Sequence, residues 1–247
     1  MKKIIVFDLD GTLARSKSSL DEEMSVLLGN LLQKRNVAII SGGGFPQFEK
    51  QILGHLTCSK DLLEKLTIFP TKGGAMYEFK KGVWQEIYSK SFSEEEKYKV
   101  IKAVDTVSSE VDFLSGECFG QRLEDRGAEF TFSALGQGAP QIEKENWDRD
   151  YTKRKTLENK LKKLLPDFDV VIGGSTSIDI TRKGINKAFA INEIMTRFGY
   201  KKEEILFVGD ALFSGGNDAS VKTTGVETFS VNSVDETKSL IRKIINE

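Results

Sequence analysis

A chain of 247 residues is longer than an ordinary domain of about 150 and suits either one large domain or a core with an insert. Its 36 Lys+Arg against 37 Asp+Glu leave a net charge of −1, so no global field draws it to nucleic acid or to an anionic membrane. With two cysteines and one histidine it has no disulfide framework, and a zinc site or Ser/His/Asp triad would rest on His55 alone.

The opening run Ile4–Phe7 is β-branched and aromatic and reads as a buried parallel strand ending at Asp8. Asp8 and Asp10 interrupt it too early for a signal core, and no stretch approaches the ~20 apolar residues of a membrane span, so a cytoplasmic location is expected. Met24, Leu27, Leu28, Leu31 and Leu32 recur at helical spacing over 21–34. Val37–Ile40 is a second buried strand, ending at Ser41-Gly42-Gly43-Gly44. A helix is expected over 45–55 and a third strand at Thr67–Phe69. Strand, helix, strand, helix, strand argues for a parallel sheet with right-handed crossovers.

The middle of the chain differs. Met76–Phe79 and Val83–Tyr88 flank Lys80-Lys81-Gly82 as a hairpin, and a charged helix follows at 93–109. Strand material lies within 121–135, one amphipathic helix is expected over Trp147–Leu165, and Asp169–Gly173 with Ser177–Thr181 forms another strand pair. From residue 185 the first pattern returns: a helix at 187–198, a strand at Ile205–Val208, a strand at Thr228–Val231 and a last helix at 234–245. The organisation expected is an α/β core of residues 1–81 and 185–247 carrying an α+β insert at 82–184. Cys58 and Cys118 are expected to be buried thiols in a reducing compartment.

Three core strands end in polar signatures: Asp8-Leu9-Asp10-Gly11-Thr12, Ser41-Gly42-Gly43 and Gly209-Asp210. In an open α/β sheet ligands bind at the carboxyl ends of the strands, so these ends are expected to converge. A carboxylate is a competent nucleophile for phosphoryl transfer and stays ionised at neutral pH. Two carboxylates brought together repel unless a cation lies between them, and Mg²⁺ suits oxygen ligands. Alternation puts Asp8 and Asp10 on one side of the chain with Leu9 pointing away, and Gly11 permits a sharp turn. Ser41 with the amides of Gly42 and Gly43 can cradle phosphate oxygens. Lys187, at a helix start, can offset charge in the transition state.

In this combination the sequence resembles the haloacid dehalogenase superfamily, in its type IIB branch with an α+β cap. Within that branch it is most similar to the eukaryotic-type phosphomannomutases over nearly its whole length. The resemblance implies a Rossmann-like three-layer core, with Asp8 as nucleophile, Asp10 as general acid/base, Ser41 on the phosphate and Lys187 as the lysine of the third motif. It implies Mg²⁺ held by Asp8, the Asp10 carbonyl and Asp210, with Asp218 nearby. Leu9, Gly42, Gly43 and Asn217 would serve phosphate or substrate binding in the core. Arg126, Ser177 and Asp179 would do so in the cap.

Mutases of this kind use several cap arginines to grip a second phosphate, and here Phe119 and Gln137 stand in two such places; Arg122 and Lys144 are nearby candidates to compensate. The expected function is therefore a Mg²⁺-dependent phosphatase acting on a small phosphate ester, a sugar phosphate, through an aspartyl-phosphate. A hexose-phosphate mutase is the alternative, and a non-catalytic sugar-phosphate-binding protein a third reading. The expected partners are the small-molecule ester alone, with neither nucleic acid nor membrane, in a monomer or homodimer.

Overall fold

The computed structural model describes all residues, Met1–Glu247. In chain order the elements are β1 (Ile4–Asp8), α1 (Glu22–Lys34), β2 (Asn36–Ile40), α2 (Phe45–Phe48), α3 (Lys60–Leu63), β3 (Leu66–Phe69), β4 (Ala75–Lys80), β5 (Val83–Ser89), α4 (Glu94–Glu110), β6 (Leu123–Asp125), β7 (Glu129–Ser133), α5 (Gln141–Trp147), α6 (Thr152–Leu164), β8 (Phe168–Ile172), β9 (Ser177–Arg182), α7 (Lys187–Phe198), β10 (Ile205–Gly209), β11 (Glu227–Ser230) and α8 (Val234–Asn246). The chain divides into two compact units, Met1–Ser89 with Asn186–Glu247, and Lys90–Ile185. No helix is long and apolar enough to cross a membrane.

The first unit is α/β. Its seven strands run in the order β11-β10-β1-β2-β3-β4-β5. The first five are mutually parallel, and β4 and β5 extend the sheet antiparallel. Alternation along the strands makes three layers. Ile5, Phe7, Val37, Ile39, Leu206 and Val208 face one cluster with α1 and α8. Ile4, Val6, Ala38, Ile40, Ile205 and Phe207 face the other with α7. Because β4 and β5 complete this sheet, residues 83–89 lie in the core unit and the first crossing falls at residues 89 and 90, later than the expected 81 and 82. The helices start where the sequence supplies caps. Asp21 accepts from Met24 N at 2.8 Å and Asn186 from Ala188 N at 2.9 Å, each substitution by alanine being worth about 1 kcal/mol.

The second unit is α+β. An antiparallel sheet, β6-β7-β9-β8, packs Phe130, Phe132, Val170, Ile178 and Ile180 against Val100, Val104 and Val107 of α4 and Leu157 and Leu161 of α6. Two expectations fail, one within this unit and one at a cysteine in each unit. The single helix over 147–165 is two, because Tyr151 takes a left-handed φ of 65° and Asp148 turns its carboxylate onto the amides of Lys153 and Arg154, at 2.9 and 3.0 Å. Cys118 is exposed and Cys58 half-buried, so neither is the fully buried thiol expected. In the core unit, the helix expected over 45–55 is α2 continued by a wide π turn at Glu49–Leu53.

Candidate active site

β1 is the centre of the chain's path. From it the chain goes one way to β2 and β3, and the other way to β10 and β11, so the switch point lies between β1 and β10. Asp8 ends β1 and Gly209 ends β10, immediately before Asp210. The two carboxylates reach each other there, joined by Asp218 from the following loop. One oxygen from each of Asp8, Asp210 and Asp218 lies within 4.8 Å of the others.

Glycines make this convergence sterically possible. A Cβ on Gly209 would lie 2.3 Å from Asp218 Oδ2, and one on Gly11, which has φ +89°, would lie 2.3 Å from Asp210 Oδ2. The loop is tied back by Ala211 N donating to Asp218 Oδ2 at 3.0 Å and Asp218 N donating to the Ala211 carbonyl at 3.2 Å.

Lys187, the first residue of α7, reaches in from the opposite layer and is fully buried. Its ammonium donates to Asp8 Oδ1 and, at 2.5 Å, to Asp218 Oδ1. Burial works against its charge, but Asp8 and Asp218 outweigh burial and hold it protonated. One ammonium cannot neutralise three carboxylates. Burial, opposed by Lys187 and reinforced by Asp218 and Asp210, pushes Asp8 up to about 7. Asp210 is raised by burial and by Asp218. Asp8 Oδ2 is buried with no hydrogen-bond partner. A buried orphan carboxylate oxygen in a net-negative cluster of hard donors fits a small divalent cation such as Mg²⁺.

Asp10 is not part of the three-carboxylate cluster. Its side chain is partly buried and accepts from Lys17 N at 2.6 Å, Gln47 Nε2 at 3.1 Å and Gln51 Nε2 at 3.3 Å. Neither glutamine stands out in the sequence; the only signal is their spacing of four on the helix that follows Ser41. Ser41 is buried, and its hydroxyl accepts from Gly43 N at 3.2 Å. Gly42 and Gly43 follow it into α2. Leu9 contributes only its backbone, since its side chain lies in the apolar core. Its carbonyl accepts from the amides of Thr12, Leu13 and Ala14. Asn217 is exposed beside Asp218.

In the second unit, Ser177 and Asp179 lie on β9, and Arg126 follows β6 at the end of the antiparallel sheet away from Ser177. The Arg126 guanidinium pairs with Glu124 Oε2 at 2.6 Å and Glu129 Oε1 at 3.4 Å. Asp179 is buried and accepts from Thr131 Oγ1 at 3.2 Å. Gly173 makes way for that carboxylate, since a Cβ there would lie 2.7 Å from Asp179 Oδ2. Ser177 Oγ accepts from Gly174 N at 2.8 Å. The Nε and Nη2 of Arg122 donate to the carbonyls of Ala134 and Leu114, at 3.0 and 2.5 Å. Lys144 donates to the Gln137 carbonyl at 3.2 Å.

Comparison with known proteins places this geometry in context. The family profile of eukaryotic phosphomannomutase matches residues 24–247. A phosphomannomutase of Saccharomyces cerevisiae is 26% identical over 253 residues, covering 98% of this chain and 94% of its own length. One of Schizosaccharomyces pombe is 26% identical over 259 residues, covering 99% and 95%. Among solved structures, IMP-bound IMP-nucleotidase of Plasmodium falciparum shares the fold at a TM-score of 0.74 and 15% identity, over 100% of this chain and 68% of that one. A trehalose-6-phosphate phosphatase related protein shares it at a TM-score of 0.61 and 15% identity, over 98% and 97%.

Proposed function

Because the chain belongs to the eukaryotic phosphomannomutase family within the haloacid dehalogenase superfamily, we propose that it moves a phosphoryl group on a hexose phosphate through an aspartyl-phosphate on Asp8, in the manner of a mutase. The observation that carries this reading is the meeting of Asp8, Asp210 and Asp218 around the Lys187 ammonium at the switch point of the sheet. What supports mutase chemistry over the hydrolysis expected from the sequence is that the family profile and the yeast relatives carry the mutase name.

In the first half-reaction an Asp8 oxygen forms a bond to phosphorus, the phosphorus–ester oxygen bond breaks, and Asp10 gives its proton to the departing sugar oxygen. In the second half a sugar hydroxyl attacks the phosphoryl group, its proton goes to Asp10, and the Asp8 carboxylate is restored. Lys187 holds Asp8 in place and offsets charge on the transferring group. Ser41 and the amides after it would take the phosphate oxygens. Asp8, Asp210 and the Asp10 carbonyl, with Asp218 nearby, would hold Mg²⁺, whose charge would offset that of the phosphate oxygens as they approach the carboxylates.

Hydrolysis, with water replacing the sugar hydroxyl, is the second reading. One observation favours it: the guanidinium of Arg122 is committed to backbone carbonyls and that of Arg126 to two glutamates, which weakens the case for a firm grip on a second phosphate. Incubation with mannose 1-phosphate, with and without a hexose bisphosphate, separates the two. Conversion to the 6-phosphate isomer without phosphate release supports the mutase, and free phosphate supports the hydrolase. No turnover of either kind, with Mg²⁺ present, would remove both.

A further inference from the structure

Proton transfer by Asp10 requires its carboxyl to keep one orientation, although an aspartate can rotate about two side-chain bonds. Here three N–H donors hold it. The Lys17 amide and Gln51 Nε2 donate to Oδ1, at 2.6 and 3.3 Å, and Gln47 Nε2 donates to Oδ2 at 3.1 Å. The two glutamines are four residues apart and so share one helical face. They are also bonded to each other, Gln47 Nε2 donating to Gln51 Oε1 at 2.6 Å. Gln51 Nε2 makes a further bond to the Ser18 carbonyl at 2.8 Å.

This chain of bonds fixes which way each amide points. The nitrogen of Gln51 faces two acceptors, the Asp10 carboxylate and the Ser18 carbonyl, while its oxygen faces the nitrogen of Gln47. Turning it over would set oxygen against oxygen on two sides and nitrogen against nitrogen on the third. Gln51 is only 3% exposed, so water cannot readily replace these partners.

Two backbone features fit the same purpose. Gly43, in the loop expected to cradle phosphate, leaves the space that Gln47 fills: a Cβ there would lie 1.9 Å from Gln47 Oε1. The helix then widens into the π turn at Glu49–Leu53, which carries Gln51, and such turns recur at functional sites.

We propose that Gln47 and Gln51 are positioning residues that set the proton-transfer geometry of Asp10, an inference resting on the reading of Asp10 as general acid/base. Oδ1 takes two of the three donors, which leaves Oδ2 with the free lone pair on which a proton is carried. An amide neither supplies nor accepts a proton at neutral pH, so the clamp holds the carboxyl through both half-reactions. The helix that starts at the phosphate loop thereby also aims the acid, coupling phosphate position to proton position.

The test varies how much the leaving group needs a proton. p-Nitrophenyl phosphate leaves as a stabilised phenolate, whereas phenyl phosphate leaves as a more basic one. The first turnover is followed for the Mg²⁺-loaded wild type, Gln47→Leu, Gln51→Leu and the reference Asp10→Asn. We expect the glutamine variants to lose about 10–100-fold in the rate of phenol release while losing less than about threefold for p-nitrophenol, the pattern of Asp10→Asn in weaker form. Equal losses for both esters, or none, would overturn the proposal. If Gln51→Leu lowers the melting temperature sharply, the half-buried Gln47→Met carries the same comparison. Turnover surviving in Asp8→Asn would instead remove the nucleophile, and with it the proposed function rather than the clamp alone.

Discussion

A buried ion pair in the second unit and the carboxylate cluster in the first treat charge in opposite ways. In the second unit the buried Arg154 meets Asp148 at 2.8 Å and bonds the Gly174 carbonyl as well. In the first, three carboxylates share a single lysine, and an oxygen of Asp8 is left without a partner. A closed ion pair serves local structure, whereas a cluster short of positive charge is stable only with something added. Burying a charge without its counterpart costs several kcal/mol, so such a deficit is what a bound cation would relieve.

Substitutions can break or sharpen this contrast. Asp8→Asn should have the largest effect, lowering turnover by roughly a thousandfold or more while the fold persists, because an amide cannot form the acyl-phosphate. Steady-state rates with circular dichroism as the control check this. Lys187→Met should come next. It leaves Asp8 and Asp218 buried without their ammonium, and should destabilise the metal-free protein by about 3–5 kcal/mol. Mg²⁺ should recover part of that loss, read as a rise in melting temperature larger than in the wild type.

Arg154→Met should also cost a few kcal/mol, roughly 2–4, because it strands the Asp148 carboxylate. Mg²⁺ should give this variant no extra recovery, since its charge defect lies within the second unit; an equal rise for both variants would erase the distinction. Lys160→Met, which breaks the exposed pair with Glu110 at 2.6 Å, should change stability by less than about 1 kcal/mol in a denaturant melt.

The core was legible because its signals are local. β1, β2 and β10 are uninterrupted apolar runs that can only be buried on both faces, and α7 begins at Lys187 as expected because Asn186 caps it. Asp8 and Asp210 were legible because each ends such a strand. The insert was read less well. Its long charged stretch looks like one helix by period, and only the packed structure shows Asp148 capping α6 and Tyr151 breaking the run. The extension of the core sheet by β4 and β5 was also hidden, since a hairpin pattern does not say which sheet it joins. Gln47 and Gln51 carry no motif, and their meeting with Asp10 depends on β1 and the residue-45 helix lying side by side.

The raised Asp8 adds a pH dependence. Its folded-state value of about 7 lies above the ordinary carboxylate value, so the metal-free fold retains this proton at acid pH and is destabilised as pH rises from about 4 through 7. A cation needs the ionised carboxylate, so Mg²⁺ affinity should move the opposite way, strengthening between about pH 6 and pH 8 with proton release on binding.

Calorimetric titration of the metal-free protein with Mg²⁺ at those two pH values, alongside Asp210→Asn, tests the shared-cation site most directly. One ion per chain, tighter at the higher pH and lost or greatly weakened in Asp210→Asn, is the predicted result. Binding of equal strength in the wild type and Asp210→Asn, or no binding at either pH, would contradict it.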